Sequence, residues 1–205
     1  MQKKVLLAIQ HLKKADTTLK RLIEKHGPCT LFDDNSLMQR SQFHVLVWAI
    51  INQQLSVNSA RAIENKLFAK LSADDFDQNS IAALCDDELA TCGLSRQKIR
   101  YIRALSHACQ EKLIHLDRLH KMNNEQISET LIKLPGIGPW TIDMFLMFSL
   151  GRLDVLPLGD LALRKSFIQN YPLPEQPGRD DYLKIARCWH PYETIASWYL
   201  WMAVD

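Results

Sequence analysis

The sequence is poor in glycine and proline and contains no long apolar run. Seven glycines and eight prolines in 205 residues leave little room for disordered or low-complexity segments. No apolar stretch reaches the roughly 18 residues that a membrane-spanning helix needs. The N-terminal segment carries lysines inside its apolar pattern, which is not typical of a signal peptide. We therefore expect a globular, cytoplasmic protein without a signal peptide or transmembrane segment.

Cysteine and net charge are also sparse. The five cysteines are odd in number, irregularly spaced and without a CxxC pair, so the sequence offers no zinc site and is typical of reduced thiols. The chain has 25 Lys and Arg and 23 Asp and Glu, so its net charge is only +2. Composition alone therefore does not indicate a nucleic-acid partner, and any basic surface must come from local clustering.

What the sequence does have is helical periodicity. Apolar residues recur three and four positions apart, as at Ile99, Ile102 and Leu105, whereas no convincing strand alternation occurs. Gly93 is placed to end one helix, Ser95 to begin the next, and Asn123 or its neighbour to begin another. These signals predict an all-α protein with helices at about 3–26, 42–55, 57–71, 79–91, 95–113, 124–133, 139–150, 160–169, 179–188 and 192–203.

Two polar stretches interrupt the helical pattern, at residues 25–36 and 117–125. They predict a middle helical lobe over residues 40–121. A second lobe is predicted from residues 1–39 plus 122–205. A cleft between such lobes is a common place for a functional site.

The segment "LIKLPGIGPWTIDMFLMFSL" predicts two helices joined by a tight turn, which is a helix-hairpin-helix pattern. Gly136 and Gly138 permit positive φ and a close approach by a partner, and Pro139 suits the first position of the second helix. N–H groups from Gly136, Ile137, Gly138 and Thr141 would then face outward at a positive helix end, where a phosphate can bind. The alternative is a purely structural turn between two helices.

Asp160 follows the hairpin after one predicted helix and one loop, "GRLDVLPLG". Its position before "LALRKSF" predicts a helix N-cap. The same carboxylate is a candidate for stabilising developing positive charge during bond cleavage, since a helix N-terminus favours a negative charge. Asp143 and Asp154 are the competing carboxylates nearby.

Together these motifs resemble the helix-hairpin-helix DNA glycosylase superfamily, and within it the 3-methyladenine DNA glycosylase II branch. The resemblance covers nearly the whole chain. It rests on an ordered set of segments: "HLKKADTTLKRLIEKHGP", "AIINQQLSV", "CGLSRQKIRYIRAL", "LPGIGPWT", "LPLGDLALRKSF" and "WHPYETIASWYLW".

The resemblance implies a role for individual residues. The catalytic aspartate falls on Asp160, and the residue that fills the space of a flipped base falls on Gln54 or Leu55. Trp140 and Trp201 fall where the family lines its base pocket with aromatic side chains. Another pocket aromatic is replaced by Met144, so the base preference of this chain is expected to differ in detail.

The resemblance also implies an activity, namely hydrolytic excision of alkylated purines such as 3-methyladenine and 7-methylguanine from double-stranded DNA. Strand-cleaving relatives carry a lysine where this chain has Trp140, so a monofunctional enzyme is expected. The iron–sulfur cluster of a related branch needs closely spaced C-terminal thiols, and only Cys188 lies there. No metal cofactor is expected, although a monovalent cation at the hairpin carbonyls would be compatible with the family.

We expect the protein to act as a monomer and, in a bacterium, to associate with the nucleoid. Two alternatives remain open from the sequence. The chain could be a non-catalytic helix-hairpin-helix DNA-binding protein, in which Asp160 is only a helix cap. It could also be a glycosylase for deaminated or oxidised bases.

Overall fold

The computed structural model describes residues 1–33, 37–73 and 75–204. These residues form α-helices, short 3-10 turns and connecting loops but no strand, which confirms the all-α prediction. None of the helices in the described ranges is long and apolar enough to cross a membrane. The helices are α1 (Gln2–Ala15), α2 (Thr17–His26), α3 (Gln42–Asn52), α4 (Val57–Leu71), α5 (Gln78–Ala83), α6 (Asp86–Thr91), α7 (Arg96–Gln110), α8 (Asn124–Leu131), α9 (Pro139–Phe148), α10 (Leu161–Asn170), α11 (Arg179–Ala186) and α12 (Glu193–Met202).

The chain divides into two compact units, but not at the predicted boundaries. One unit comprises Leu37–Leu150, and the other comprises Met1–Ser36 with Gly151–Asp205. The sequence pattern had predicted that residues 122–150, and with them the hairpin, belong to the same lobe as the chain termini. In the structure these residues belong with the middle of the chain because α9 packs against α3 and α8. The catalytic-loop candidate at Asp160 therefore lies in a different unit from the hairpin.

The Leu37–Leu150 unit is built around α3, which is apolar on nearly every side. Helices that are hydrophobic all round are buried helices, and α3 packs against α4, α7 and α9. Its residues Leu46 and Ile50 are completely buried, as is Phe145 of α9. This packing fixes the C-terminal end of α3 close to the hairpin, which is where the site residues of this unit lie.

The other unit contains a break that helical periodicity did not predict. The single helix expected over 3–26 is two helices, α1 and α2, separated at Asp16. Asp16 has an extended backbone and caps α2 by accepting the N–H of Leu19 over 2.9 Å. Its other oxygen accepts the Tyr171 hydroxyl over 2.9 Å and the Trp189 indole N–H over 2.8 Å. Long-range partners therefore stabilise the break.

The helix expected over 79–91 is also two helices, because Leu84 has an extended backbone between α5 and α6. The side chain of Arg103 donates to the carbonyls of Ile81 and Leu84, which lie at the end of α5. The Ile81 carbonyl also accepts the Leu84 N–H over 3.3 Å, whereas the Leu84 carbonyl lies past the last turn of α5, where helix carbonyls lack helical partners. A residue on α7, distant in sequence, thus compensates for the break.

Other helix ends agree with the local sequence signals. The Ser95 hydroxyl caps α7, and the Asn123 side chain caps α8. Gly93 follows α6 with a φ of +102°, as expected of a glycine that ends a helix. Pro139 occupies the first turn of α9 as predicted.

Candidate functional site

The hairpin joins α8 to α9 through a turn that requires glycine at position 136. Gly136 has a φ of +82°, a conformation that L-residues with side chains rarely adopt. A Cβ added there would lie 2.1 Å from Cγ of Tyr101, which is an impossible contact. The ring of Tyr101 thus packs directly on the backbone of the turn, and the sequence analysis did not identify this residue.

Gly138 has a different role from Gly136. Its φ is −107°, so it does not use the positive φ that glycine permits. A Cβ added at Gly138 would meet no atom within 4 Å. Neither conformation nor internal packing therefore demands glycine here, and the backbone is open to close approach from outside.

Gly138 is also the N-cap of α9, and no side chain caps this helix. The first N–H groups of an α-helix lack partners within the helix, and Pro139 contributes none. The N-terminus of α9 therefore combines an open backbone with a positive helix end, which is a favourable arrangement for an anion. Lys133 in the preceding turn is exposed and adds positive charge to this stretch of the chain.

A second turn carries the two candidates for filling the space of a flipped base. We call residues Gln53–Ser56, between α3 and α4, the plug turn. Gln54 is exposed and adopts a φ of +57°, and Leu55 is 40% exposed. Both side chains are accessible, so the structure leaves both candidates in place. Ser56 ends the turn by capping α4 through its hydroxyl.

Lys98 on α7 stabilises the start of the plug turn. Its Nζ donates to the carbonyls of Ile51 over 2.6 Å and Gln53 over 2.9 Å. A cation at the C-terminal end of a helix interacts favourably with the helix dipole, here that of α3. Burial lowers the pKa of the Lys98 amine below its usual range. Lys98 lies in "CGLSRQKIRYIRAL", one of the segments that carry the family resemblance, but only the structure shows its contacts.

Gln53 links the plug turn to the hairpin. Its Nε2 donates to the carbonyl of Gly136 over 2.8 Å and to the hydroxyl of Thr141 over 2.9 Å. Thr141 is only 1% exposed, so its side chain faces this internal contact. Any contact from Thr141 to a phosphate would therefore come from its backbone N–H.

Asp160 lies in the other unit, directly before α10. Its Oδ1 accepts the backbone N–H of Leu163 over 2.8 Å, so the predicted helix cap is present. The same oxygen accepts the indole N–H of Trp201 over 3.0 Å. The structure thus brings together two of the predicted site residues, Asp160 and Trp201, which are far apart in the sequence. The carboxylate is partly buried and held in a defined orientation.

The loop that leads to Asp160 is anchored by buried polar contacts. The Thr194 hydroxyl donates to the carbonyl of Arg152 over 2.8 Å and accepts the N–H of Val155 over 3.2 Å. Arg164 on α10 donates to the carbonyl of Leu158 over 2.9 Å. Thr194 is completely buried on α12. The sequence signal for this anchor was a threonine at the start of the largely apolar "TIASWYLW".

The remaining predicted pocket residues lie on α9. Trp140 is half-buried at the second position of the helix. Met144 follows one turn later on the same face and is 3% exposed, so it offers almost no surface to a ligand. Of the two competing carboxylates, Asp154 is exposed and Asp143 is partly exposed.

Comparison with known proteins places this geometry in a family. Residues 47–191 match the HhH-GPD superfamily of base excision DNA repair proteins. The chain is 33% identical to the alkylbase DNA glycosidase-like protein mag2 of Schizosaccharomyces pombe, over 95% of this chain and 91% of that protein. The matched range contains the plug turn, the hairpin and Asp160.

Solved structures agree with the sequence comparison. The 3-methyladenine DNA glycosylase Mag1 of Schizosaccharomyces pombe, in complex with abasic DNA, superposes with a TM-score of 0.85 and 31% identity, covering 95% of this chain and 94% of that chain. A DNA-3-methyladenine glycosidase from Bacillus halodurans gives a TM-score of 0.78 and 31% identity, covering 97% and 89%. The chain therefore belongs to the HhH-GPD superfamily of base excision DNA repair proteins.

Proposed function

We propose that this protein is a monofunctional DNA glycosylase that excises alkylated purines, such as 3-methyladenine and 7-methylguanine, and so initiates base excision repair. The observation that carries the proposal is the Asp160 carboxylate, fixed by the Leu163 N–H and the Trp201 indole in a chain of this family. Similar proteins named as alkylbase or 3-methyladenine glycosylases support the choice of substrate.

Departure of the base leaves positive charge on the deoxyribose. A fixed carboxylate stabilises that charge and can orient the attacking water. Asp160 suits this role because its hydrogen bonds come from a helix N-terminus and an indole, and neither donor has to move during the reaction. Restraining the carboxylate beforehand reduces the reorganisation that the reaction requires.

The hairpin is assigned to the DNA backbone. The Ile137 N–H, which was also predicted to face a phosphate, instead donates to Leu134 O over 3.1 Å within the turn. The N–H groups of Gly138 and of the first turn of α9 would bind a phosphate, and the open space at Gly138 lets the phosphate approach closely. Such contacts hold double-stranded DNA without reading its sequence. This property suits an enzyme that must find a damaged base in any sequence context.

The plug turn is assigned to the space left by the extruded nucleotide. An enzyme cannot reach the base–sugar bond inside a duplex, so it must flip the nucleotide out. Gln54 and Leu55 are both accessible for insertion into the vacated position. We propose that one of them fills it.

Base selection is assigned to the aromatic residues Trp140 and Trp201. An electron-rich ring favours a cationic alkylated purine by about 0.5–2 kcal/mol. Met144, which lies one turn after Trp140 and is almost fully buried, would support the Trp140 ring and would not contact the base. The preference is modest, so much of the selectivity would come from the alkylated base itself, which is already a good leaving group.

Base release from methylated duplex DNA tests the proposal directly. The wild type is expected to release free 3-methyladenine and to leave an abasic site. Asp160→Asn should lower the single-turnover rate by at least about 100-fold, because the charge is lost at the reacting centre. Asn is also a good N-cap, so the thermal stability of this variant should stay close to that of the wild type.

Asp154→Asn, in the same loop, serves as the matched control and should retain the wild-type rate. No base release by the wild type, or undiminished release by Asp160→Asn, would contradict the proposal. In the first case, parallel assays with duplexes carrying hypoxanthine or 8-oxoguanine separate the two alternatives. Release of either base would indicate another lesion, and DNA binding without any release would indicate a non-catalytic binding protein.

The absence of strand cleavage needs its own assay. Strand-cleaving glycosylases use an amine that forms a Schiff base with the sugar, and this chain has Trp140 where relatives with that activity carry lysine. Borohydride reduction during turnover is therefore expected to give no protein–DNA crosslink. A crosslink would overturn the monofunctional assignment and would locate the amine after peptide mapping.

A further inference from the structure

The two adjacent glutamines of "NQQL" have opposite surroundings. The Gln53 amide points into the protein, where Nε2 donates to Gly136 O and Thr141 Oγ1. The Gln53 carbonyl is also held, by Lys98 Nζ over 2.9 Å. Gln54, the next residue, is exposed and has positive φ. One glutamine is thus fixed at both its backbone and its side chain, and its neighbour is presented outward.

The contacts of Gln53 explain how Gln54 keeps its unusual backbone. A residue other than glycine in the left-handed region is disfavoured and persists only when surrounding contacts impose that conformation. The preceding residue, Gln53, is restrained by hydrogen bonds to three separate elements: α7, the hairpin turn and α9. These restraints fix where the plug turn begins.

We infer that Gln53 is a positioning residue that fixes the plug turn relative to the hairpin. The turn that fills the vacated base position and the turn that binds phosphate are then held at a fixed distance from each other. The inference rests on the proposed function, because it assigns Gln53 a task in base flipping. Gln53 itself need not touch DNA. Replacing the Gln53 side chain should leave phosphate binding largely intact but should destabilise the complex in which the nucleotide is flipped out.

Gln53→Leu is the main test, since leucine is similar in size but lacks the amide donor. Thr141→Val removes one acceptor of the same amide, and Thr141→Ser retains the hydroxyl. Thr130→Val is the matched control, because the partly exposed Thr130 hydroxyl donates to Gln126 O within α8. Each variant is compared with the wild type for single-turnover base release, affinity for undamaged duplex, melting temperature, and fluorescence of 2-aminopurine placed beside a tetrahydrofuran abasic analogue.

For Gln53→Leu we expect about a tenfold or larger fall in base release, because the partly buried Gly136 carbonyl and the buried Thr141 hydroxyl lose their partner. The 2-aminopurine signal that reports unstacking should fall with it. Affinity for undamaged duplex should change by less than about threefold, because the phosphate contacts remain. Thr141→Val should show a smaller fall, and Thr141→Ser, which keeps the hydroxyl, should release base faster than Thr141→Val. Thr130→Val should resemble the wild type.

Two results would overturn the inference. One is unchanged base release and unchanged 2-aminopurine fluorescence in a folded Gln53→Leu protein. The other is an equal loss of release and of undamaged-duplex affinity, which would mean a general structural role. If Gln53→Leu does not fold, the two Thr141 variants provide the test. Equal rates of base release by Thr141→Val and Thr141→Ser would also overturn the inference.

The test of Gln53 can be distinguished from the test of the proposed function. Base release by the wild type tests the activity and does not depend on Gln53. If the wild type releases no base, the proposed function fails. The 2-aminopurine comparison between the wild type and Gln53→Leu on the abasic-analogue duplex then still decides whether Gln53 positions the plug turn.

Discussion

The indole N–H of Trp201 donates a hydrogen bond to Oδ1 of Asp160 over 3.0 Å. Trp201 lies at the end of α12 and Asp160 at the start of α10, and these two helices pack against each other. A second contact, from the Ser166 hydroxyl to Leu200 O over 2.6 Å, joins the same two helices. The aromatic residue expected to contact the substrate base therefore also orients the carboxylate.

Trp201→Phe separates these two roles, because phenylalanine keeps an aromatic ring but has no N–H donor. If Trp201 acts through Asp160, single-turnover base release should fall by roughly tenfold, the cost of one hydrogen bond to a charged group. If Trp201 acts only by stacking on the base, the rate should stay near that of the wild type. The measurement is the rate of 3-methyladenine release at saturating enzyme.

Trp198→Phe on the same helix is the control for general packing effects. Trp198 is partly exposed and lies edge-on to Tyr199, with ring centroids 4.8 Å apart. Its variant should keep the wild-type rate. A fall in both variants that follows their loss of melting temperature would contradict a specific role for Trp201.

Alanine substitutions at the two hairpin glycines should have different effects. Gly136→Ala combines positive φ with a Cβ placed 2.1 Å from the Tyr101 ring, so the free energy of unfolding should fall by more than about 1 kcal/mol. Gly138→Ala has neither problem and should fold normally. We expect it to weaken DNA binding, because its methyl group would occupy the open side of the backbone.

Urea unfolding and the dependence of DNA affinity on salt measure the two effects. Gly138→Ala removes no cation, so its affinity for DNA should fall at every salt concentration while the slope of log affinity against log salt stays close to that of the wild type. A Gly138→Ala protein with unchanged affinity would show that the phosphate does not approach at this position. The Gly136 variant then serves as a comparison for a purely structural loss.

The sequence predicted local features well, since each depends on a few neighbouring residues. The caps at Ser95, Asn123 and Asp160, and the Pro139 helix start, are all present. Features that depend on distant partners were not predictable. Gln53 and Gly136 are 83 positions apart, so no local pattern could indicate their contact. The unit boundary was wrong for the same reason, because the apolar faces of α3 and α9 do not reveal their partner.

Gln54→Gly should separate stability from function. Glycine adopts positive φ without strain, so removing the side chain at a φ of +57° should leave the free energy of unfolding unchanged or slightly increased. If Gln54 fills the vacated base position, base release should nevertheless fall. Leu55→Ala is the matching test for the other candidate, and the variant with the larger kinetic effect identifies the inserted residue. Equal wild-type rates for both would remove the plug turn from the mechanism.

Alkaline pH should destabilise the folded protein through two thiols, the buried Cys29 and the partly buried Cys109. Burial raises the pKa of Cys29 to about 11 and that of Cys109 to about 11. An unfolded thiol has a pKa of about 8.5. Below that value both states hold the proton and the thiols cause no pH dependence. Between about 8.5 and about 11 the unfolded state releases its proton first, so the free energy of unfolding falls as pH rises.

Lys98 acts in the opposite direction, since burial lowers its pKa and the unfolded state then binds the proton more tightly. The thiols outnumber it, so a net fall is expected. Urea unfolding under reducing conditions, at intervals from about pH 8 upward, measures the slope. Cys29→Ala and Cys109→Ala should each reduce it, whereas Cys85→Ser, at an exposed position, should not. A slope that is the same in the wild type and in the Cys29→Ala, Cys109→Ala double variant would show that these two thiols do not control alkaline unfolding.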